Sequence, residues 1–216
     1  MLKNFIEQTI NGIQVGSIYA LIALGYTMVY GIVKLINFAH GDILMVGAYI
    51  AFASVSSGIP LPVAIIISMV TCAVLGVTID YFAYRPLRNS PKISALITAI
   101  GVSFLLESLA LIIFKAEPKV IKTENIPSFL SSDSINFGYV SVSKLTIFVI
   151  VVTLLCMLGL NFFIKKTKLG KATRAVSQDT SAAKLMGINV NLTIAVTFAI
   201  GSALGSLGGV LYALMY

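Results

Sequence analysis

Long apolar runs separated by short polar breaks divide the chain. Five runs, at 10–33, 61–84, 93–114, 145–164 and 192–216, match the roughly 20 residues that a helix needs to cross the hydrocarbon core. None alternates apolar and polar positions as a barrel strand does, so the pattern predicts an all-α fold, a polytopic transmembrane helical bundle. A sixth run, 43–56, is shorter and fits either a tilted span or a re-entrant piece.

The polar breaks set the orientation. The break YRPLRNSPK carries Arg85, Arg88 and Lys92, while Pro86 and Pro91 bar helix continuation. Residues 165–190 carry Lys165, Lys166, Lys168, Lys171, Arg174 and Lys184 against Asp179 alone. Such density beside spans marks the cytoplasmic side, and both breaks are placed there. The longer break 115–143 mixes Lys115, Lys119 and Lys122 with Glu117, Glu124 and Asp133, and falls on the outer side. The N-terminus lies outside if 43–56 crosses and inside if it turns back. The apolar run that reaches Tyr216 has no polar exit, which suggests a missing C-terminal part.

Composition agrees with this picture. Of 216 residues, 58% are hydrophobic and 11% charged, against about 25% charged in soluble domains; mean hydropathy is +0.98. The chain is an integral membrane protein. A net charge of +7 would hint at nucleic acid in a soluble chain. Here the cations sit at the ends of apolar runs, where orientation and the anionic headgroups of the lipid bilayer account for them, so nucleic acid is not expected. Cys72 and Cys156 lie inside apolar runs, which argues against a disulfide framework or a metal site. The opening MLKNFIEQTINGIQVGS lacks a cleavage site and reads as a first membrane helix. Trp is absent, so Tyr19, Tyr26, Tyr30, Tyr81 and Tyr84 are the candidates for an interfacial belt. There is no GxxxxGK[ST], HExxH, GxSxG or Cys/His cluster. The chain therefore binds no ATP through a P-loop of its own, no cofactor is expected on it, and it has little from which to build a catalytic centre.

The basic break 165–190 holds a helix pattern. Gly170 is expected to break the helix leaving the membrane, and 172–178 to form a short helical turn. Asp179 is a good N-cap for a two-turn helix over 180–186, with Lys184 near its negative end. Gly187 follows as the left-handed C′ residue, and Ile188 can fold back over the last turn. So short a helix is marginal alone in water and needs its own bundle or a partner's groove. The capped, Ala-rich pattern favours docking over a solvated connector.

Inside the apolar runs, Gly201, Gly205, Gly209 and Ala213 recur every four residues, with Ser202 and Ser206 beside them; Gly12 and Gly16 repeat the spacing in the first helix. Small residues let helices approach closely in lipid. This is either ordinary tight packing, the favoured reading, or a moving contact. The segment 34–42, KLINFAHGD, supplies Asn37, His40 and Asp42 beside Gly41, a bend-permitting residue. Polar groups at such a break can line a substrate path; His40 alone reads better as structural. Glu107 lies well inside 93–114, where a carboxylate must face the bundle or a wet cavity. Asp80, nearer the cytoplasmic end, is expected to pair with Arg85 or reach water.

Three blocks of the chain resemble the permease subunits of bacterial branched-chain amino-acid ABC importers, the LivH-like family. They are GSIYALIALGYTMVYGIVKLINFAHGDILMVGAY at 16–49, YRPLRNSPKISALITAIGVSFLLES at 84–108, and LGKATRAVSQDTSAAKLMGINVNLTIAVTFAIGSALGSLGGVL at 169–211. The resemblance covers about half the chain, in the family's order, and is poorest over 115–143. It implies a multi-pass subunit of the bacterial cell membrane that pairs with a second permease subunit, with two ABC ATPase subunits hydrolysing ATP below. An extracytoplasmic amino-acid-binding protein would deliver Leu, Ile or Val. It assigns Arg174, Ala175, Asp179, Ala182, Gly187 and Ile188 to the ATPase-facing element. It also implies a single permease domain over 1–216 that lacks the family's C-terminal helices. The rival reading is an ion- or proton-coupled secondary transporter of a small polar solute, with Glu107 or Asp42 carrying the proton; a membrane enzyme is disfavoured by the missing catalytic cluster.

Overall fold

The computed structural model describes residues 2–88, 90–117, 119, 121, 134–137 and 140–215. Helix α1 (Leu2–Val33) is followed by α2 (His40–Ser56) and α3 (Leu61–Ile79). A π turn (Asp80–Tyr84) and a 3-10 turn (Arg85–Leu87) lead to α4 (Lys92–Phe114). Strands β1 (Ser134–Phe137) and β2 (Val140–Ser143) precede α5 (Lys144–Lys166), α6 (Lys168–Gln178), α7 (Thr180–Leu185) and α8 (Val190–Ala213). Among the described residues, five helices are long and apolar enough to span a membrane, and His40–Ser56 is a shorter apolar helix. The helical bundle expected from the apolar runs is the observed architecture. The β1–β2 hairpin, antiparallel with Ser134 opposite Ser143 and Phe137 opposite Val140, was not expected in the polar break 115–143. Lys122, Glu124, Asp133 and Tyr216 lie outside the described residues.

Helix α8 is the hub. It buries 72% of its apolar window, against 17% for α4 and for α5, and it packs on α1, α2 and α3. Small residues make this approach possible. A Cβ on Gly25 would stand 2.6 Å from the Gly201 carbonyl, and one on Gly47 would stand 2.6 Å from Ser206 Oγ. Gly209 meets the Leu44 carbonyl and Gly76 meets Ser202 in the same way. Hydroxyls then join the three helices: Ser68 donates to the Gly47 carbonyl at 2.6 Å and lies 2.7 Å from Ser206 Oγ. Gly201, Gly205 and Gly209 all face this seam, but Gly12 and Gly16 do not, since nothing lies within 4 Å of a Cβ on either. The first helix uses Gly25 instead.

Contacts also order the ends of the bundle. Gln14 of α1 reaches Met215 past the end of α8, and Ile22 lies against Gly208. Gly25 then meets Gly201, so α1 and α8 are antiparallel. Arg88, after α3, bonds to Asn191 at the start of α8, which brings both basic breaks to one end. Taking that end as cytoplasmic, the start of α1 is outside. Cys72 and Ser68 of α3 face Ile43 and Gly47 of α2, so α2 runs back outwards. In that frame the 43–56 run completes a crossing begun by the non-helical residues 34–39.

Several local expectations are corrected. Helix α1 starts at Leu2 rather than residue 10, because polar Asn4, Glu7 and Gln8 continue the helix beyond the apolar window. The helix break turns on Lys34, at φ 56°, while Gly41 is helical; Lys34 N–H closes α1 on the Tyr30 carbonyl at 2.8 Å. Gly170 does not break the chain. Thr167 does, capping α6 by accepting from Gly170 N–H at 2.9 Å, and α6 runs eleven residues instead of one turn. Gly170 instead fits against the end of α5, where a Cβ would stand 2.6 Å from the Ile164 carbonyl. Tyr84 is buried rather than interfacial.

Candidate functional site

Three parts of the bundle carry the polar side chains of interest: the α1–α2 break, the outer clefts, and the basic end. At the break, Asn37, His40 and Asp42 are all buried. Tyr84 donates to Asn37 Oδ1 at 3.0 Å. His40 Nε2 lies 3.3 Å from the Ile22 carbonyl, and its ring meets Tyr26 edge-on at 5.8 Å. A Cβ on Gly205 would stand 3.0 Å from the ring, so the imidazole fills the notch between α1 and α8. Ser103 of α4 donates to Asp42 Oδ2. Each group thus ties a different helix to the break, and the three do not converge on one open cavity.

The outer end is more open. A cleft of about 380 Å³ between α2 and α8 is walled by Leu44, Met45, Phe52 and Tyr212, and the ion pair of Lys119 with Glu117 (3.1 Å) lies at its rim. That volume falls in the range of small-molecule pockets, and the mixture of apolar wall and charged rim suits a small amphiphilic solute. Glu107 is exposed on this chain and does not face the core. It lines a neighbouring cleft with Tyr49, Lys115 and Glu117. The stacked rings of Tyr49 and Phe114, 4.4 Å apart, hold α4 against α2 there.

At the basic end, Asp80 is 2% exposed and its partner is Arg88, not Arg85. Arg88 Nη2 donates to both carboxylate oxygens, at 2.7 and 2.9 Å, and Nη1 donates to Asn191 at 2.6 Å. The π and 3-10 turns after α3 swing Arg88 back under Asp80, whereas Arg85 lies over the Tyr81 ring at 5.3 Å. Asp80→Ala leaves this half-buried guanidinium without its carboxylate. Such a loss costs about 3–5 kcal/mol, so the variant is expected to unfold at clearly lower temperature in detergent. The Asp80→Ala/Arg88→Leu double variant should recover most of the loss, and an equally unstable double variant would count against the pair.

Beyond the pair, α6 and α7 form an elbow. Asp179 accepts from Ser181 and Ala182 N–H at 2.8 and 3.0 Å. Gly187, at φ 77°, closes α7 with its N–H on the Lys184 carbonyl at 3.0 Å, and Ile188 N–H reaches the Ala183 carbonyl at 3.1 Å. Val176 and Ala183 are buried with Ile188 and Val190 in the inner core cluster, so α7 is fastened to the foot of α8. Arg174, Asp179, Ala182 and Gly187 are exposed, while Ala175 and Ile188 are partly covered. Leu185 and Met186, outside the residues expected from the sequence, stand 89% and 81% exposed at the tip; their apolar character beside the Gly187 cap was the available signal. Gln14, a lone amide in an apolar run and likewise outside those residues, accepts from Thr146 at 2.9 Å and joins α1 to α5.

A family model described as the permease component of branched-chain amino acid transport systems matches residues 8–216. The chain is 40% identical over 224 residues to the high-affinity branched-chain amino acid transport system permease protein BraD of Pseudomonas aeruginosa, covering 100% of this chain and 73% of that protein. It is 36% identical over 221 residues to the Escherichia coli K12 permease protein LivH, covering 98% of this chain and 71% of that one. A probable LivH of Methanocaldococcus jannaschii is 29% identical over 210 residues, with 89% and 62% covered. No solved structure matches the chain.

Proposed function

The chain belongs to the family of branched-chain amino acid transport system permease components, and from that membership we propose that it is the membrane-spanning permease subunit of an ABC importer for leucine, isoleucine and valine. The observation that carries this reading is the family match over residues 8–216. It is supported by five long apolar helices arranged around α8. The chain is a transport subunit, and ATP is bound and hydrolysed on partner subunits. A second permease subunit covers part of the apolar surface that α4 and α5 leave open. Two ABC ATPase subunits dock at the basic end, and an extracytoplasmic binding protein delivers substrate at the outer end, in a bacterial cell membrane. The cleft walled by Leu44, Phe52 and Tyr212 is where an aliphatic side chain enters.

The ATPase-facing element is the α6–α7 elbow. Arg174, Ala175, Asp179, Ala182, Gly187 and Ile188 shape it, and Leu185 and Met186 are the side chains it holds out. Closure of the ATPases presses α7. Two short capped connections pass that push on: Gly187 ends α7, and Asn189 caps α8 by accepting from Leu192 N–H at 3.1 Å. Helix α8 then shifts as a rigid body against α1–α3, a bistable motion of closely packed helices. The proton-coupled alternative gains no support, since the family and the relatives are permease components of branched-chain amino acid transport systems. The test is leucine uptake into vesicles holding the assembled transporter. Uptake is expected to stop on ATP depletion at constant membrane potential. Uptake that continues on a proton gradient alone would overturn the assignment.

A further inference from the structure

The two basic segments meet around a cavity of about 480 Å³ that the coupling mechanics does not use. Arg85 and Arg88 line it from the α3–α4 turn, Thr180, Ser181 and Lys184 from α7, and Asn191 from the foot of α8. Its other wall is apolar, made by Ile32, Val33 and Leu35 at the end of α1 and by Ile194. Among the described residues no carboxylate lines it. The two nearest in sequence are engaged elsewhere: Asp80 holds Arg88, and Asp179 accepts from the backbone of α7. The charges of Arg85 and Lys184 are therefore not offset within the cavity. Two cations with no carboxylate of their own, Arg85 and Lys184, and the Ser181 hydroxyl around one space match the acceptor oxygens of a phosphate group, which takes charge-assisted bonds from arginine and lysine together.

Depth decides what carries that phosphate. The cavity lies at the cytoplasmic ends of α1 and α8, where the positive-inside rule places the headgroup layer, and Val33 and Leu35 of its apolar wall are partly exposed there. Basic pockets between spans at that level suit anionic headgroups. We infer that this cavity binds the phosphate of an anionic phospholipid of the inner leaflet, with Arg85, Lys184 and Ser181 on its oxygens and an acyl chain leaving along Val33 and Leu35. One lipid then bridges the α3–α4 turn to α7, so the coupling elbow is seated partly on lipid.

The test uses the assembled transporter in detergent, given phosphatidylglycerol, phosphatidylcholine or inorganic phosphate. Native mass spectrometry reads retained lipid, and equilibrium dialysis reads phosphate. Phosphatidylglycerol is expected to be retained over phosphatidylcholine and to resist displacement by phosphate. The Arg85→Gln/Lys184→Gln double variant should bind roughly thirtyfold more weakly, at about fivefold for each cation removed. Saturable phosphate binding lost in the same variant, with both lipids retained alike, would overturn the lipid in favour of a soluble phosphate at the same site. Equal retention of the two lipids without phosphate binding overturns the proposal, as does unchanged binding in the double variant. If that variant fails to assemble, Lys184→Gln alone, on the exposed α7 surface, should still show the fivefold loss. Binding is read without transport, so a failed uptake assay leaves this result standing.

Discussion

Gly201→Leu is expected to leave little folded protein, whereas Gly12→Leu and Gly16→Leu should accumulate like the parent. A Cβ on Gly201 would stand 2.7 Å from Val29 Cγ2 and 2.8 Å from the Gly25 carbonyl. The valine can rotate, but the carbonyl belongs to the backbone of α1 and moves only with the whole helix. Overpacking of this kind costs about 1–3 kcal/mol even where side chains can yield, and a backbone obstruction puts leucine here at or beyond the upper end. Gly12 and Gly16 carry the same four-residue spacing but face open space. The comparison is the monodisperse fraction after detergent extraction and its thermal midpoint. Equal behaviour of the three variants would sink the claim that the α1–α8 seam holds the bundle together.

The second large effect concerns the elbow. Gly187→Pro should abolish uptake while the protein still inserts, because proline requires φ near −65° and Gly187 sits at 77°. Proline also removes the N–H that closes α7 on the Lys184 carbonyl. A change confined to α7 leaves the α8 seam untouched, so folding is preserved and coupling is lost. Leu185→Ala/Met186→Ala asks a sharper question. Both side chains are exposed, and neither contributes to the buried core clusters. Truncating apolar anchors that fill a partner's pocket typically costs about 2–4 kcal/mol. The ATPase subunits should therefore co-purify at least about thirtyfold more weakly with the double variant. Undiminished co-purification, or normal uptake in Gly187→Pro, would remove α7 from the coupling role.

Much of the fold was legible along the chain because lipid imposes strict local rules. Every spanning helix satisfies its own backbone, so a long apolar run is enough to announce it. Caps are equally local, and Asp179 and Gly187 bound α7 as their side chains and backbone demand. Misplaced details share one cause: each depends on how the backbone turns or how two elements pack, which residue type alone does not announce. Arg88 rather than Arg85 reaches Asp80 because a π turn and a 3-10 turn reset the helical phase between them. Gly170 is required by the end of α5, not by a break in the chain. The α1–α2 interruption turns on Lys34, a residue with no intrinsic liking for the left-handed region, so no residue-type signal pointed to it.

The same division holds for function. The apolar runs, the basic breaks and the caps of α7 are properties of the sequence itself, and they determine a multi-pass membrane chain with a capped helix in its basic segment. Only the tertiary structure decided that α8 is the central helix, since hydropathy does not rank the five described spans by burial; the ranking comes from which faces carry glycine and serine against a neighbour. It also decided that Asn37, His40 and Asp42 brace separate helices instead of sharing a cavity. Segments 85–88 and 180–191, far apart in the chain, enclose a common cationic pocket. Hydropathy and caps act within a few residues, whereas packing joins residues a hundred positions apart.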